Sequence, residues 1–510
     1  MRACSQSIYL CAFPLLSAGL AFGQFGAPAP QPSTGTQAIQ LPLSGWSGQT
    51  GSVTTTQTPV PGTTTSVNTL NTNVQVQGPY QGSIRSDTQK PLTGKLSLRD
   101  AVQRGLQYNL GSIGLAQSVR QAHGQQRVAR SSLLPNVSAS LRENVQQVSL
   151  AAGGIRVPFI PAVVGPFNYF DLRATLTQSL VDLTARNNFR SAQETRLATQ
   201  MAERDARDLV VLAVGGAYLQ VIAAQARVQS ARAQLETAKA LYQQTFDRRK
   251  VGLSAQIDVN RSRVEMQTQQ QRVTSLENDL SKQKINLARL IGLAPNDSFE
   301  LSDTVPFSPA PELKLDEALK TAFESRSDLK SAEAQVRAAE KAREAARAER
   351  LPSLSVTADY GVIGLNPAQA HGTFTVSGNL RVPIWQGGRT EGNIEQAEAA
   401  LAQRRAELED LRGRIESDIR NAFFDLQAAA SQMQVAQNNQ EVARDTLRLT
   451  RQRFEAGIAD SVEVVQSQEA VASADLDYIT SLFAHNLAKL TVARAMGRAE
   501  ESLPRFLQIQ

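Results

Sequence analysis

Three histidines are the side chains best suited by type to hold a metal or move protons near neutral pH. His123, His371 and His485 are scattered along the chain and share no metal-ligand spacing with one another or with a cysteine. Both cysteines, Cys4 and Cys11, stand close to the first residue. No Gly-x-x-x-x-Gly-Lys loop is present to cradle a phosphate, and no Gly-x-Ser-x-Gly elbow to present a nucleophile. Nearby carboxylates recur at helical surface spacings, as on a solvated face. The residues therefore point to no catalytic site, no cofactor and no metal. An enzyme with helical insertions finds no supporting motif.

The strongest pattern lies in the frame. Gly252 laid over Gly457, a shift of 205 residues, aligns Arg248–Val259 with Arg453–Val464 without a gap. The same shift sets Ala217-Tyr-Leu219 on Ala422-Phe-Phe424, and Leu287–Gly292 on Val492–Gly497. A neighbouring shift of 217 sets Leu98 over Leu315 and Leu134-Pro135 over Leu351-Pro352. The chain is a duplication, which has to be settled before any fold assignment. The first copy is read as 95–303, the second as 304–500, with 501–510 as a C-terminal tail.

At the N-terminus, Arg2, an apolar stretch from Ile8 to Phe22 and the small residues of Ala21-Phe-Gly23 read as a secretory signal over 1–23. With both cysteines inside it, the mature chain carries none, which fits export through an oxidising compartment. Residues 24–94 are rich in Thr, Gly, Pro, Ser, Gln and Asn, and read as a low-complexity disordered tail. The net charge of +6 is spread among alternating acids and bases. It forms no basic face, and nucleic acid is excluded as a partner.

Long helical segments dominate the remainder: Leu96–Leu133, Arg186–Arg249 and Ala255–Ile291 in the first copy, then Leu315–Arg350, Asn393–Glu455 and Val462–Met496 in the second. At a rise of 1.5 Å per residue the longest would reach about 95 Å, the length of a coiled-coil-like wall. Leu209–Ala224 is almost uncharged, but too short for a transmembrane helix, and its repeat mate carries Glu416, Asp418, Arg420 and Asp425. It reads as a buried helix–helix seam.

Between the helices each copy holds two segments of period two, about 136–180 and about 353–385. Phe170, Leu172, Ala174, Leu176 and Leu180 alternate with Asp171, Arg173, Thr175, Thr177 and Ser179. Phe374, Val376, Leu380, Val382 and Ile384 alternate with Thr373, Thr375, Ser377, Asn379 and Arg381. Such alternation suits a lipid-facing barrel or a soluble sheet with one wet face. Four such strands cannot enclose a lumen, and open edges cannot face lipid. A membrane reading thus requires several chains, and three would supply about twelve strands.

The duplicated helix–strand–strand–helix–helix plan, the paired turns Val251-Gly-Leu-Ser254 and Ala456-Gly-Ile-Ala459, and the junction Val382-Pro-Ile-Trp-Gln-Gly-Gly-Arg389 resemble the TolC-type outer-membrane efflux proteins over about residues 95–500. The first copy departs at Ser179–Arg186, which lacks the double glycine. The resemblance implies a mainly α chain with a membrane β-barrel. Three chains would form an α-helical tunnel in the periplasm below a shared twelve-stranded barrel in outer-membrane lipid.

The resemblance further implies an exit duct of a tripartite efflux system, joined through a periplasmic adaptor to an inner-membrane RND or ABC transporter. It places adaptor docking on Val251, Gly252, Leu253 and Ser254 and on Ala456, Gly457, Ile458 and Ala459. It also places a narrowed periplasmic entrance at Asp258, Glu463 and Phe454. Either acid alone reads as a solvated surface charge, and Phe454 also fits helix packing. The matched placement of the acids in both copies is what points to function. A second family acid is Gln466 here. The alternatives are the exit duct of a type I protein secretion system and a periplasmic coiled-coil tether that never enters the membrane.

Overall fold

The computed structural model describes residues 51–60, 69–85, 94–152, 154, 161–294, 297–303, 306–309 and 314–507. The expected signal over 1–23 lies outside them. Two units are present: a strand unit of Leu134–Leu180 and Leu354–Leu380, and a helical unit holding the other described residues.

In chain order, strands β1 (Ser52–Val60) and β2 (Thr69–Gln77) pair antiparallel. A short β3 (Gly94–Leu96) precedes helices α1 (Leu98–Tyr108) and α2 (Leu110–Ser131). Then come β4 (Asn136–Ser149), β5 (Val163–Val181), the long α3 (Leu183–Lys250), α4 (Gln256–Leu290) and a short β6 (Phe299–Leu301). The second copy repeats the plan as α5 (Leu315–Ser325), α6 (Ser327–Ala348), β7 (Ser353–Gly364), β8 (His371–Arg381), α7 (Arg389–Glu455) and α8 (Ser461–Ala495). A last helix, α9 (Ala499–Leu507), follows.

Each first helix expected from periodicity is broken once. Asn109 and Arg326, the two break points, are equivalent under the 217-residue shift, and both have extended ψ, 133° and 123°. Asn109 caps α2 by accepting the Gly111 N–H at 2.9 Å, and donates to the Tyr80 carbonyl at 2.8 Å. Arg326 is held by Asp328 at 2.6 Å and by Asp418 of α7 at 3.3 Å. The last long helix of each copy ends against its break. A Cβ on Gly292 would meet Tyr108 at 2.7 Å, and one on Gly497 would meet Arg326 at 2.8 Å. The two copies therefore share one closure.

The uncharged stretch of α3 is buried, as expected. Val210, Val211, Leu212, Val214, Tyr218 and Leu219 pack with α1, the end of α4 and Phe483, Leu487 and Leu490 of α8. By length and composition this helix could cross a membrane, but neighbours on several sides explain why it is apolar all round. Tyr218 donates to the Leu96 carbonyl at 2.9 Å and to Asp303 at 3.0 Å, tying α3 to the parallel β3–β6 pair.

Two expectations fail here. The disordered-tail reading of 24–94 does not hold for its described part. β1 and β2 form a nine-residue antiparallel pair, with Val53 and Tyr80 buried in the main core and Val74 seated against Gly216. Few apolar residues suffice because burial alternates along the strands: Val53, Thr72, Val74 and Val76 face α3 and α8, while Thr54, Asn73, Gln75 and Gln77 stay exposed. Nor is 501–510 simply a C-terminal tail: α9 reaches Leu507, and Phe506 is buried in the core of the second copy with Val492 and Met496.

In the strand unit the order is β4-β5-β7-β8, so the two hairpins lie side by side with β4 and β8 at the edges. The β4–β5 register pairs Val137 with Leu176, Ala139 with Ala174 and Leu141 with Leu172, the apolar face that the alternation predicts. On the other face Arg173 bonds Asp171 and Thr373 at 3.3 and 3.4 Å and pairs with Asp359, linking β5, β7 and β8.

Candidate functional site

Both helix reversals have the same backbone construction. After α3, the Gly252 N–H donates to the Arg249 carbonyl at 2.9 Å and the Leu253 N–H to the Arg248 carbonyl at 2.8 Å. After α7, Gly457 donates to Phe454 at 3.1 Å and Ile458 to Arg453 at 2.9 Å. These paired bonds form the Schellman C-cap, which needs one left-handed residue. Gly252 and Gly457 supply it with φ of 79° and 76°. No atom lies within 4 Å of a Cβ built at either, so backbone torsion alone selects glycine there.

The residue after such a glycine commonly folds its apolar side chain back onto the helix. Here it does not: Leu253 is 78% and Ile458 71% exposed, and Val251 is 69% exposed. Ser254 and Ala459 are half-buried. Each tip thus presents uncovered apolar side chains on a rigid turn.

The two tips are joined by side chains. Arg248 donates to the Phe454 and Glu455 carbonyls at 3.2 and 3.4 Å, and its guanidinium lies 4.5 Å over the Phe454 ring. A cation there also suits the negative end of α7. Phe454 is buried among Leu241, Val464, Leu447 and Val465. Asp258 accepts from Ser461 of the other copy at 2.8 Å and from Ser254 at 3.4 Å, with Arg261 at 4.0 Å. Glu463 pairs with Arg453 of its own copy at 3.4 Å. Asp460 caps α8 by accepting the Val462 and Glu463 N–H groups, both at 3.0 Å.

The tip residues, both acids and Phe454 therefore gather in one bonded neighbourhood. Arg248, Arg453 and Ser461 complete it and were not singled out from the sequence. Arg248 and Arg453 are equivalent residues of the repeat, which was the available signal, but their partners depend on packing.

The junctions leading into the long helices differ, as the missing double glycine suggests. Before α7, Gly387 and Gly388 are both left-handed, at 62° and 82°, and the adjacent Trp385 is 88% exposed. Before α3, Asp182 caps the helix instead, accepting the Ala185 N–H at 2.8 Å.

The apolar face of the sheet is uncovered. Val137, Leu141, Leu172, Leu176, Phe374, Val376 and Leu380 are all exposed, a contiguous surface that marks an interaction face. Among the described residues no cluster of three or more His, Cys, Asp or Glu side chains could hold a metal. His485 is fully buried against Phe307 with neither ring nitrogen bonded. Burial, helped by the neighbouring Lys489 charge, pushes its pKa down to about 4. Lys489, bonded to Ser308, is pushed down to about 8 by burial.

A family model described as outer membrane efflux protein matches residues 114–293 and 318–498, more than half of the chain. The chain is 24% identical over 417 residues to outer membrane protein OprJ of Pseudomonas aeruginosa, covering 78% of this chain and 84% of that one. It is 24% identical over 382 residues to outer membrane protein TolC of Vibrio cholerae, covering 73% and 84%. Its fold resembles the Campylobacter jejuni CmeC outer membrane channel with a TM-score of 0.69 at 18% identity, covering 79% of this chain and 86% of that one.

Proposed function

Because this chain belongs to the outer membrane efflux protein family and is an efflux channel of the outer membrane, we propose that it serves as the passive exit duct of a tripartite system for small molecules. The observation that carries this reading is the sheet: one face exposed and apolar, the other crossed by the Arg173 ionic links, with β4 and β8 as edges. Unpaired edges are not tolerated in lipid, and four strands close no barrel. Three copies, pairing β8 of one with β4 of the next, give about twelve strands with the apolar faces outward.

The helices supply the periplasmic walls, and the apolar tips Val251–Ser254 and Ala456–Ala459 receive the adaptor. Asp258, Glu463 and Phe454 narrow the entrance, where carboxylates repeated by three-fold symmetry favour cations. An inner-membrane RND or ABC transporter performs the work, so the duct itself needs no catalytic group.

The test is assembly. Leu176→Arg and Val376→Arg each place a charge on the lipid face, at a cost of about 2–4 kcal/mol near the midplane, repeated in every copy. We expect loss of the trimer and of the protein from the outer-membrane fraction. Unchanged fractionation and an intact trimer on native gels would reject the membrane reading.

A further inference from the structure

Away from the tips, α3 and α4 of the first copy and α7 and α8 of the second line a half-open cavity of about 200 Å³. Its walls include Gln234, Glu265, Gln269, Arg444, Gln468 and Asp475. Glu265, Gln269, Gln468 and Asp475 are each more than nine-tenths buried. Buried polar atoms are normally paired, so the hydrogen bonds here are informative.

Asp475 is saturated. Its Oδ1 accepts from Gln440 at 2.8 Å and Arg444 at 2.9 Å, and its Oδ2 from Ser230 at 2.9 Å and Gln234 at 3.5 Å. Glu265 Oε1 accepts the Gln269 amide nitrogen at 2.8 Å. These bonds fix two amides by chemistry, since only the nitrogen end of a glutamine can donate to a carboxylate. The amide oxygens of Gln234 and Gln269 are thereby left over, and both lack a partner. Gln468 has neither its oxygen nor its nitrogen bonded. The cavity thus gathers three unpaired buried amide oxygens beside a carboxylate.

Charge points the same way. Arg444 neutralises Asp475, while Glu265 is bonded to a neutral amide and pairs with no cation among the described residues. With Arg444 committed to Asp475, what the set lacks is a positive charge for Glu265, and what it offers is mainly hard oxygen, with no sulfur or imidazole. Carboxylate and amide oxygens are the ligands of hard divalent cations, and a site with room for waters suits calcium better than the tight octahedron of magnesium. A liquid water occupies about 30 Å³, so the space accommodates an ion with part of its hydration shell.

We propose that this cavity binds a hydrated divalent cation, calcium in preference to magnesium, held by Glu265 and the amide oxygens of Gln234, Gln269 and Gln468, and that the ion clamps the helix pair of one repeat to that of the other. A single uncompensated carboxylate places the affinity in the weak class, Kd about 10⁻⁴–10⁻³ M. The site stands whether or not the duct reading does, because it rests on the helical unit alone.

The full chain, purified in detergent and stripped with a chelator, is titrated with calcium chloride by calorimetry and by thermal unfolding, with magnesium chloride in parallel. One calcium per chain and a raised Tm are expected, with weaker binding of magnesium. Glu265→Gln should weaken calcium binding at least tenfold. Gln468→Met, which keeps the side-chain length and removes the amide, should weaken it several-fold and decides the matter if Glu265→Gln fails to fold. No saturable calcium binding by the wild-type chain up to 10 mM, or identical titrations for wild type and Gln468→Met, would overturn the proposal.

Discussion

The two helix tips are copies in backbone and strangers in side-chain bonding. Both reversals close with the same pair of carbonyl bonds and the same left-handed glycine. Yet Arg248 reaches across to the end of α7, whereas its equivalent Arg453 stays with Glu463 of its own copy. Asp258 likewise bonds across to Ser461, while Glu463 bonds within. The comparison teaches that backbone torsion keeps the turn the same in both copies, while the links between copies at the tips run from Arg248 and Asp258 of the first copy.

The comparison can be broken by making the copies more alike. His485 is buried in the second copy where the first has Leu280, and Leu280 packs against the main core. The folded His485 stays neutral down to about pH 4, whereas an unfolded histidine takes a proton near 6.5. Its contribution is therefore fully present above about pH 6.5 and is lost as the pH falls towards 4. His485→Leu should remove about 2 kcal/mol of the stability difference between pH 7 and pH 5, read as a smaller drop in Tm between those conditions.

A smaller effect sharpens the asymmetry of the tips. Arg248→Ala should cost about 1–2 kcal/mol through lost charged hydrogen bonds and ring contact, and Arg453→Ala less than about 1 kcal/mol as an exposed pair. Equal losses in denaturant titrations would dissolve the distinction. Gly252→Ala and Gly457→Ala test the opposite half of the comparison. Neither meets a steric neighbour, so each should cost about 1 kcal/mol for the torsion alone, and the two should match. Smallest of all, we expect modest rises in single-channel conductance in planar bilayers. Asp258→Ala, which cuts a link between copies, should exceed Glu463→Ala, which cuts one within a copy. The reverse order would place the restraint on Glu463.

Much of this was legible where a local rule decides. The duplication, the long helices, the alternating strands and both turning glycines follow from period and torsion. The helix breaks were not legible, because the helical pattern runs on through Asn109 and Arg326, and part of what holds each is distant in the chain, Tyr80 for one and Asp418 for the other. The β1–β2 pair was hidden by composition, which counts apolar residues without asking where a strand of alternating burial can dock. At the tips the glycines were visible and Arg248 was not, since its targets are carbonyls of the other copy. The buried face of α8 was hidden too, because Asp475 and Gln468 look like surface residues until four helices surround them.

The hairpin seated on Gly216 has a consequence for the order of events as the chain is made. Residues 52–77 are made long before α8, which receives Thr55 through Thr491 at 3.2 Å. The α3 half of its dock is complete by Lys250, but the α8 half waits until most of the second copy has been made. A segment of Thr, Gln and Asn with a few valines stays soluble through such a wait, where a greasier pair of strands would find wrong partners. Its docking then closes β1 onto α8, a seal that forms only once both copies of the repeat are present.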